Sequence, residues 1–236
     1  MSRRRWIADE VSKTHAALIG QHAEHLVRVL RARVGEEFEI VADGRVRTGR
    51  IIRVSSDRVE FELGDELSSS ATLSITVVLS IFKFDRMEWA IEKCVELGVA
   101  SIIPAITQRT EPHLAAAASK RVERWRRIAR QASEQSRRTS VPEISLPMKL
   151  KEALALHTGR RIVLAESEKE QVLKEALQRQ GGDEVTLAFG PEGGWTSAEL
   201  EMFRQEGWTA ASLGNTILRA ETAAIAAVAI VLAKVG

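Results

Sequence analysis

The sequence is poor in the features that mark a disulfide-stapled, metal-clustered or membrane-inserted protein. Of its 236 residues only Cys94 is a cysteine, which excludes an intramolecular disulfide and any Cys-rich zinc or iron–sulfur cluster and agrees with a reducing compartment. Net charge is only +2, so attraction for a polyanion has to come from a local face rather than from the whole chain. Long apolar runs are missing too. The most apolar stretch, residues 223–233, is too short to cross a bilayer and follows Arg219 and Glu221 closely; it reads as a buried helix. The Arg3-Arg4-Arg5 start has the charge of a signal peptide, but Ala8-Asp9-Glu10 stands where its apolar core would be. With 44% apolar and 28% charged residues, the chain reads as a cytosolic globular protein with no membrane partner.

What is present falls into two halves. Residues 38–41, 46–54 and 59–63 are strand-like, with Asp43-Gly44 as one turn and Ser55-Ser56-Asp57 as another. Ahead of them residues 22–31 suit a helix with Leu26, Val29 and Leu30 turned inward. Residues 64–70 carry no period and no core residues, which makes them the linker candidate. A small β-barrel domain over residues 1–68 is expected to lean on a neighbour. From Leu73 strands and helices alternate. Residues 73–82 form a β-branched run, and Met87, Ala90, Ile91, Cys94 and Leu97 recur at helical spacing up to Gly98. A strand follows over 99–105, limited by Pro104, and then a helix over 115–138 with Val122, Trp125, Ile128 and Ala132 on one stripe. Further strands are expected at 143–146, 161–165, 184–189 and 210–213, and helices at 149–156, 168–179 and 197–206. The alternation predicts an α/β domain over residues 72–236, its parallel sheet covered by helices.

In such sheets ligands bind beyond the carboxyl ends of the strands, so the loops there come first. Gly190-Pro191-Glu192-Gly193-Gly194-Trp195 precedes Thr196 and Glu199, a capping-box start for the next helix. This loop matches neither the P-loop nor the Gly-x-Gly-x-x-Gly pattern. It is either a backbone cradle for a ligand or merely a tight strand-to-helix turn. Gly214-Asn215-Thr216-Ile217-Leu218-Arg219 leads into the Ala-rich helix, whose burial sends Arg219 and Glu221 to an exposed mouth or into a partnered site. The plainer alternative is an Arg–Glu pair capping that helix. The third loop is Glu166-Ser167-Glu168.

Two basic segments suit a phosphate backbone. Lys120, Arg121, Arg124, Arg126, Arg127, Arg130, Arg137 and Arg138 fall within the 115–138 helix against Glu123 and Glu134. Arg3, Arg4, Arg5, Arg28, Arg31 and Arg33 cluster near the start, with Trp6 as a stacking surface. Solvated faces are the alternative reading of both. His22 and His25 lack companions at ligand spacing, so no metal is expected. Cys94 lies on an apolar stripe and reads as core. Ser136 and Ser167 belong to no triad motif.

Taken together, several motifs carry a resemblance that covers the whole chain. They are residues 25–31 followed by Gly35, Lys83-Phe84-Asp85-Arg86-Met87-Glu88-Trp89, Glu96-Leu97-Gly98-Val99, Glu134-Gln135-Ser136-x-Arg138, Gly190-Pro191-Glu192-Gly193-Gly194, and Leu213-Gly214-x-x-Ile217-Leu218-Arg219-x-Glu221-Thr222. The chain resembles the bacterial 16S ribosomal RNA uridine N3-methyltransferases of the SPOUT superfamily. The resemblance implies a PUA-like β-barrel followed by an α/β domain threaded into a trefoil knot, and a homodimer. It implies S-adenosyl-L-methionine as donor and S-adenosyl-L-homocysteine as product, with no metal. The donor would be held by Leu164, Ala165 and Glu166, by Phe189, Gly190, Pro191, Glu192, Gly193 and Gly194, and by Leu213, Gly214, Asn215, Ile217 and Leu218. The substrate implied is one uridine near the 3′ end of 16S rRNA, in the decoding region of the 30S subunit. Arg219 is expected to stabilise charge on the uracil oxygens as the N3 proton leaves, oriented by Glu221 or a water. Glu192 is a further candidate for base or for orienting the donor. Arg5, Arg28, Arg31, Arg86, Arg124, Arg127 and Arg138 are the expected RNA contacts. Trp195, where the family has smaller residues, is expected to reshape the edge of the donor slot. Two other readings stay open: a noncatalytic ribosome-assembly factor, and a ribose 2′-O-methyltransferase of the same superfamily.

Overall fold

Alternating apolar residues and tight turns build the first half of the chain into one curled sheet. In the computed structural model, which describes residues 5–67, 73–156, 159–178 and 183–235, this half comprises β1 (Arg5–Ile7), β2 (Glu10–Val11), β3 (His15–Ile19), α1 (Gln21–Glu24), β4 (Glu37–Ala42), β5 (Arg45–Val54) and β6 (Arg58–Leu67). The strand order is β1-β4-β5-β6-β3-β2. The β4–β5 hairpin closes on Asp43 and Gly44, whose φ of 51° and 74° are the left-handed pair that a two-residue hairpin needs. Register shifts between Arg47 and Gly49 and between Ile51 and Arg53 bend β5. At Gly49 a Cβ would lie 2.3 Å from Ile40 Cγ1, so the bend requires a residue without a side chain. Leu18, Leu26, Ile40, Val59 and Phe61 fill the core enclosed by the sheet.

Three expectations for this half are corrected. Residues 64–67, expected as linker, continue β6, with Val46 opposite Leu67 and Arg47 opposite Glu66. Backbone pairing needs no apolar side chain, and Arg47 reinforces it by donating to the Gly64 carbonyl at 2.9 Å. Ser68, Ser69 and Ser70 lie outside the described residues, as do Arg3 and Arg4. The helix after β3 widens into a π-helical turn over His25–Val29, with Leu30 N donating to His25 O at 3.2 Å. The wider turn keeps Leu26 buried but swings Val29 to 63% exposure. Trp6, expected as a stacking surface, is 6% exposed and packs edge-on to His22.

The second half contains β7 (Ser74–Ser80), α2 (Phe84–Glu96), β8 (Ser101–Ile106), α3 (Pro112–Ala118), α4 (Val122–Gln135), β9 (Glu143–Ile144), β10 (Met148–Lys149), α5 (Leu150–Ala155), β11 (Arg160–Leu164), α6 (Leu173–Ala176), β12 (Glu184–Phe189), α7 (Ser197–Gln205), β13 (Thr209–Ala211) and α8 (Ala220–Val235). All of its strand pairs are parallel, in the order β10-β8-β7-β12-β11-β13 with β9 also on β8. By contacts the chain divides into one unit of Met1–Ala71 with Ser133–Val141 and another of Thr72–Ala132 with Pro142–Gly236. No helix among the described residues is long and apolar enough to cross a membrane.

Here too the structure departs from expectation. Pro104 does not limit its strand, which runs on to Ile106. The carbonyls of Ala100 and Ile102 accept from Glu143 and Ser145 on the outer side of β8, whereas that of Ala105 accepts from Ile81 on the β7 side. Pro104 is in phase with Ile102 and faces the gap between β9 and β10, where its missing N–H deprives no partner. The long helix expected over 115–138 is three pieces, α3, a 3₁₀ turn over Ser119–Arg121 and α4, and Arg137 beyond it has φ 58°. The basic residues therefore do not share one helix. The helix expected over 168–179 shrinks to α6, because Glu168 caps the amides of Glu170 and Gln171 and Val172 bridges to Ser212; Arg179 lies outside the described residues.

Candidate functional site

Three strand ends open on one side of the parallel sheet. β11, β12 and β13 are neighbours and parallel, so their carboxyl-terminal loops emerge together, as strand-end geometry requires. They enclose a cavity of about 460 Å³ whose walls include Leu164, Ala165 and Glu166, residues 189–195, and Leu213, Gly214, Thr216, Ile217, Leu218 and Arg219. All the predicted donor-contacting residues lie on this lining except Asn215. Cavities of this size suit a small ligand held by an apolar wall and a few polar groups.

The Gly-rich loop is compressed. A Cβ on Gly190 would lie 3.3 Å from the Gly194 carbonyl carbon and 3.3 Å from the Trp195 ring, so this position tolerates only glycine without rearrangement. Gly194 takes φ 69° and donates to Pro191 O at 2.8 Å. Trp195 lines the cavity and anchors the loop. It is buried, donates Nε1 to Leu164 O at 2.9 Å, and meets Phe203 edge-on at 4.8 Å. That hydrogen bond ties the loop after β12 to the end of β11. Thr196 and Glu199 form the expected capping box at the start of α7.

Charged groups frame the mouth. Arg86, from the first turn of α2, engages Glu192 of the Gly-rich loop and lies 3.8 Å from Glu221. Glu221 is 3% exposed, and its Oε2 has no hydrogen-bond partner among the described residues. The alternative of an Arg219–Glu221 cap is therefore replaced by an Arg86–Glu221 pair. Arg219 is exposed on the cavity rim, and its carbonyl accepts from Ala223 N at 2.8 Å, which starts α8. Arg109 also lines the cavity. No sequence motif marks Arg109, although its loop follows the carboxyl end of β8.

The expected RNA contacts divide by environment. Arg28, Arg31 and Arg127 are exposed. Arg5 pairs with Glu39 at 2.9 Å, and Arg124 with Glu88 at 2.7 Å. Arg138 is half-buried, and desolvation lowers its guanidinium below the ordinary range. Arg86 belongs to the cavity. Cys94 is in the core, and burial pushes its thiol up to about 12.

Comparison with known proteins gives matches over both halves. A family model described as an RNA methyltransferase domain matches residues 69–232, and one described as an RNA methyltransferase PUA domain matches residues 18–64. The chain is 30% identical over 227 residues to ribosomal RNA small subunit methyltransferase E of Bacillus subtilis (strain 168), covering 88% of this chain and 85% of that protein. It is 32% identical over 219 residues to the protein of that name from Rickettsia conorii, with 90% and 87% covered. The crystal structure of a ribosomal RNA small subunit methyltransferase E from Neisseria gonorrhoeae, bound to S-adenosyl methionine, superposes with a TM-score of 0.86 at 31% identity, covering 97% of this chain and 96% of that one.

Proposed function

The chain belongs to the RNA methyltransferase family that includes the ribosomal RNA small subunit methyltransferase E proteins, and from that premise we propose that it methylates small-subunit ribosomal RNA from S-adenosylmethionine, at N3 of a uridine near the 3′ end of 16S rRNA. The observation that carries this reading is the convergence of three strand-end loops on one cavity of about 460 Å³. Its walls combine backbone and apolar side chains with a few charged groups, Arg86, Arg109, Glu166, Glu192 and Arg219, and carry no phosphate-binding motif. They suit an adenine ring and a cationic sulfonium better than a polyphosphate. At Gly190 a Cβ would crowd Gly194 and Trp195, and the absence of a side chain there lets the backbone approach a ligand closely. When bound, S-adenosylmethionine supplies an electrophilic methyl group and is released as S-adenosyl-L-homocysteine.

The chain's own residues have two tasks. The loops at 164–166, 189–194 and 213–218 hold the donor and orient it toward the uridine. Arg219, exposed on the rim, stabilises the negative charge that gathers on the uracil oxygens as the N3 proton leaves. Glu221, paired through Oε1 with Arg86, or a water orients it, and the Arg219 carbonyl starts α8. Exposed Arg28, Arg31 and Arg127 supply the phosphate contacts of RNA docking. On the same reading the protein acts in the cytoplasm as a homodimer on the 30S subunit, with a trefoil knot in its second domain.

Incubation with labelled donor and 30S particles from a strain lacking the modification tests the reading. Nucleoside mass spectrometry is expected to find 3-methyluridine. A ribose methyl group would point to the 2′-O-methyltransferase alternative, and absence of both label transfer and donor binding to a noncatalytic assembly factor.

A further inference from the structure

A loop with glycine at positions 190, 193 and 194 has little of its own to hold its peptide planes. The segment after β8 holds them. Thr107 and Thr110 are buried and brace one another, with their hydroxyls 2.9 Å apart and Thr107 N 3.1 Å from Thr110 Oγ1. Between them Gln108 N donates to Glu199 Oε1 at 2.8 Å. Glu199, 2% exposed, also accepts from Thr196 N at 2.9 Å and Thr196 Oγ1 at 3.0 Å. The base of the segment is thereby tied to the helix that the Gly-rich loop feeds.

From this base Arg109 reaches back to the loop. Its Nη1 donates to the Gly193 carbonyl and, at 3.3 Å, to the Trp195 carbonyl. The same two peptide units are held at their other ends: Gly194 N donates to Pro191 O at 2.8 Å, and Thr196 N to Glu199 Oε2 at 2.9 Å. Each plane is pinned on both sides. The steric fit is equally close, since a Cβ on Gly193 would lie 3.2 Å from Arg109 Cδ. We propose that Arg109 is the positioning residue of the Gly-rich loop, closing a ring of contacts through Glu199 that sets the shape of the donor slot; this rests on the methyl-donor reading above only for what the slot holds.

Arg109 is exposed, so its truncation leaves the core intact. The test uses full-length wild type, Arg109→Ala, Arg109→Lys and Gly193→Ala. Hydrogen exchange of the ligand-free protein reads the loop without any donor. Arg109→Ala is expected to speed exchange of the Gly194 and Thr196 amides about 10-fold, the scale of losing a charge-assisted hydrogen bond, with β12 unchanged. Arg109→Lys restores part of the protection, and Gly193→Ala loosens the loop by displacing the Arg109 stem. In turnover, Arg109→Ala raises the KM for S-adenosylmethionine about 10-fold while kcat stays within about 3-fold and the KM for 30S particles is unmoved. Unchanged loop exchange in Arg109→Ala overturns the proposal, as does a raised KM for 30S with an unaltered KM for donor, which would make Arg109 an RNA contact. Faster loop exchange in a protein whose wild type binds no S-adenosylmethionine would sink the donor reading and leave the positioning role standing.

Discussion

Arg86 and Glu221 form an ion pair, Nε to Oε1 at 3.8 Å, that joins the first turn of α2 to the first turn of α8 beside the candidate donor cavity. Glu221 is almost wholly buried while Arg86 keeps 31% of its side chain exposed. The arginine is therefore the group that compensates a carboxylate unable to reach water, and it engages Glu192 of the Gly-rich loop at the same time.

Removing the cation should expose that dependence. Arg86→Leu is expected to lower stability by about 1–3 kcal/mol, less than for a fully buried pair because Arg86 is partly solvated. Adding Glu221→Gln in the same chain should recover a large part of the loss, since no buried charge is then left without its cation. Urea melts of the two single variants and the double variant give the coupling; strict additivity would mean that the pair carries no energy.

In the proposed reaction Arg219 bears on turnover rather than on donor binding. Arg219→Ala is expected to reduce kcat about 10²–10³-fold, the scale of losing one charge-stabilising donor. Donor affinity by calorimetry should change little. A variant with wild-type turnover would remove Arg219 from the reaction.

Trp195 ties the loop after β12 to the end of β11 by a side-chain hydrogen bond. Trp195→Phe keeps a ring against Phe203 but removes the donor to Leu164 O. A loss of about 1–3 kcal/mol is expected, together with weaker donor binding. Thermal melts with and without S-adenosylmethionine separate the two effects, and a variant with full stability would mean that the carbonyl finds another partner.

Cys94 makes alkaline stability fall. Burial raises its thiol from 9.0 to about 12, so above the unfolded value the folded chain holds a proton that the unfolded chain has released. The stabilising contribution is complete below the unfolded pKa and is lost as pH rises toward the folded one, at a limiting slope of about 1.4 kcal/mol per pH unit. The chain has no tyrosine, which removes the phenol that commonly titrates in this window. Relative to wild type, Cys94→Ala should gain stability as pH rises from about 9 toward 12, as read from denaturant melts. A pH-independent difference would show that the thiol does not titrate on unfolding.

Docking on ribosomal particles should weaken with salt. Arg127 is exposed on α4, and Arg127→Ala is expected to reduce the slope of log affinity against log salt by about 1. Arg124, already paired with Glu88 at 2.7 Å, should change it less. Equal slopes for wild type and Arg127→Ala would place the RNA surface elsewhere.

Much of the architecture was legible because periodicity reports burial directly. The β-branched run after Leu73 is a strand buried in a parallel sheet, and the stripe through Met87, Ile91 and Cys94 is the inner face of α2. The pattern failed where backbone chemistry overrode it. Leu67 pairs in β6 although its neighbours are polar, Pro104 sits inside β8 because its missing N–H meets a gap, and Val29 is turned outward by a π-helical turn.

By itself the sequence determined which loops line the cavity, because glycines at a strand end and a charged entrance to an apolar helix are local features with local causes. It also set the inert role of Cys94, placed by spacing on the inner stripe of α2. Only the tertiary structure decided the partners of the charges: that Arg86 serves Glu192 and Glu221, that Arg109 holds the carbonyls of Gly193 and Trp195, and that Trp195 bonds to the end of β11. The reason is physical. Hydrophobic period is written into neighbouring residues, whereas an ion pair or a hydrogen bond across 84 positions, as between Arg109 and Gly193, exists only once the sheet has brought its strand ends together.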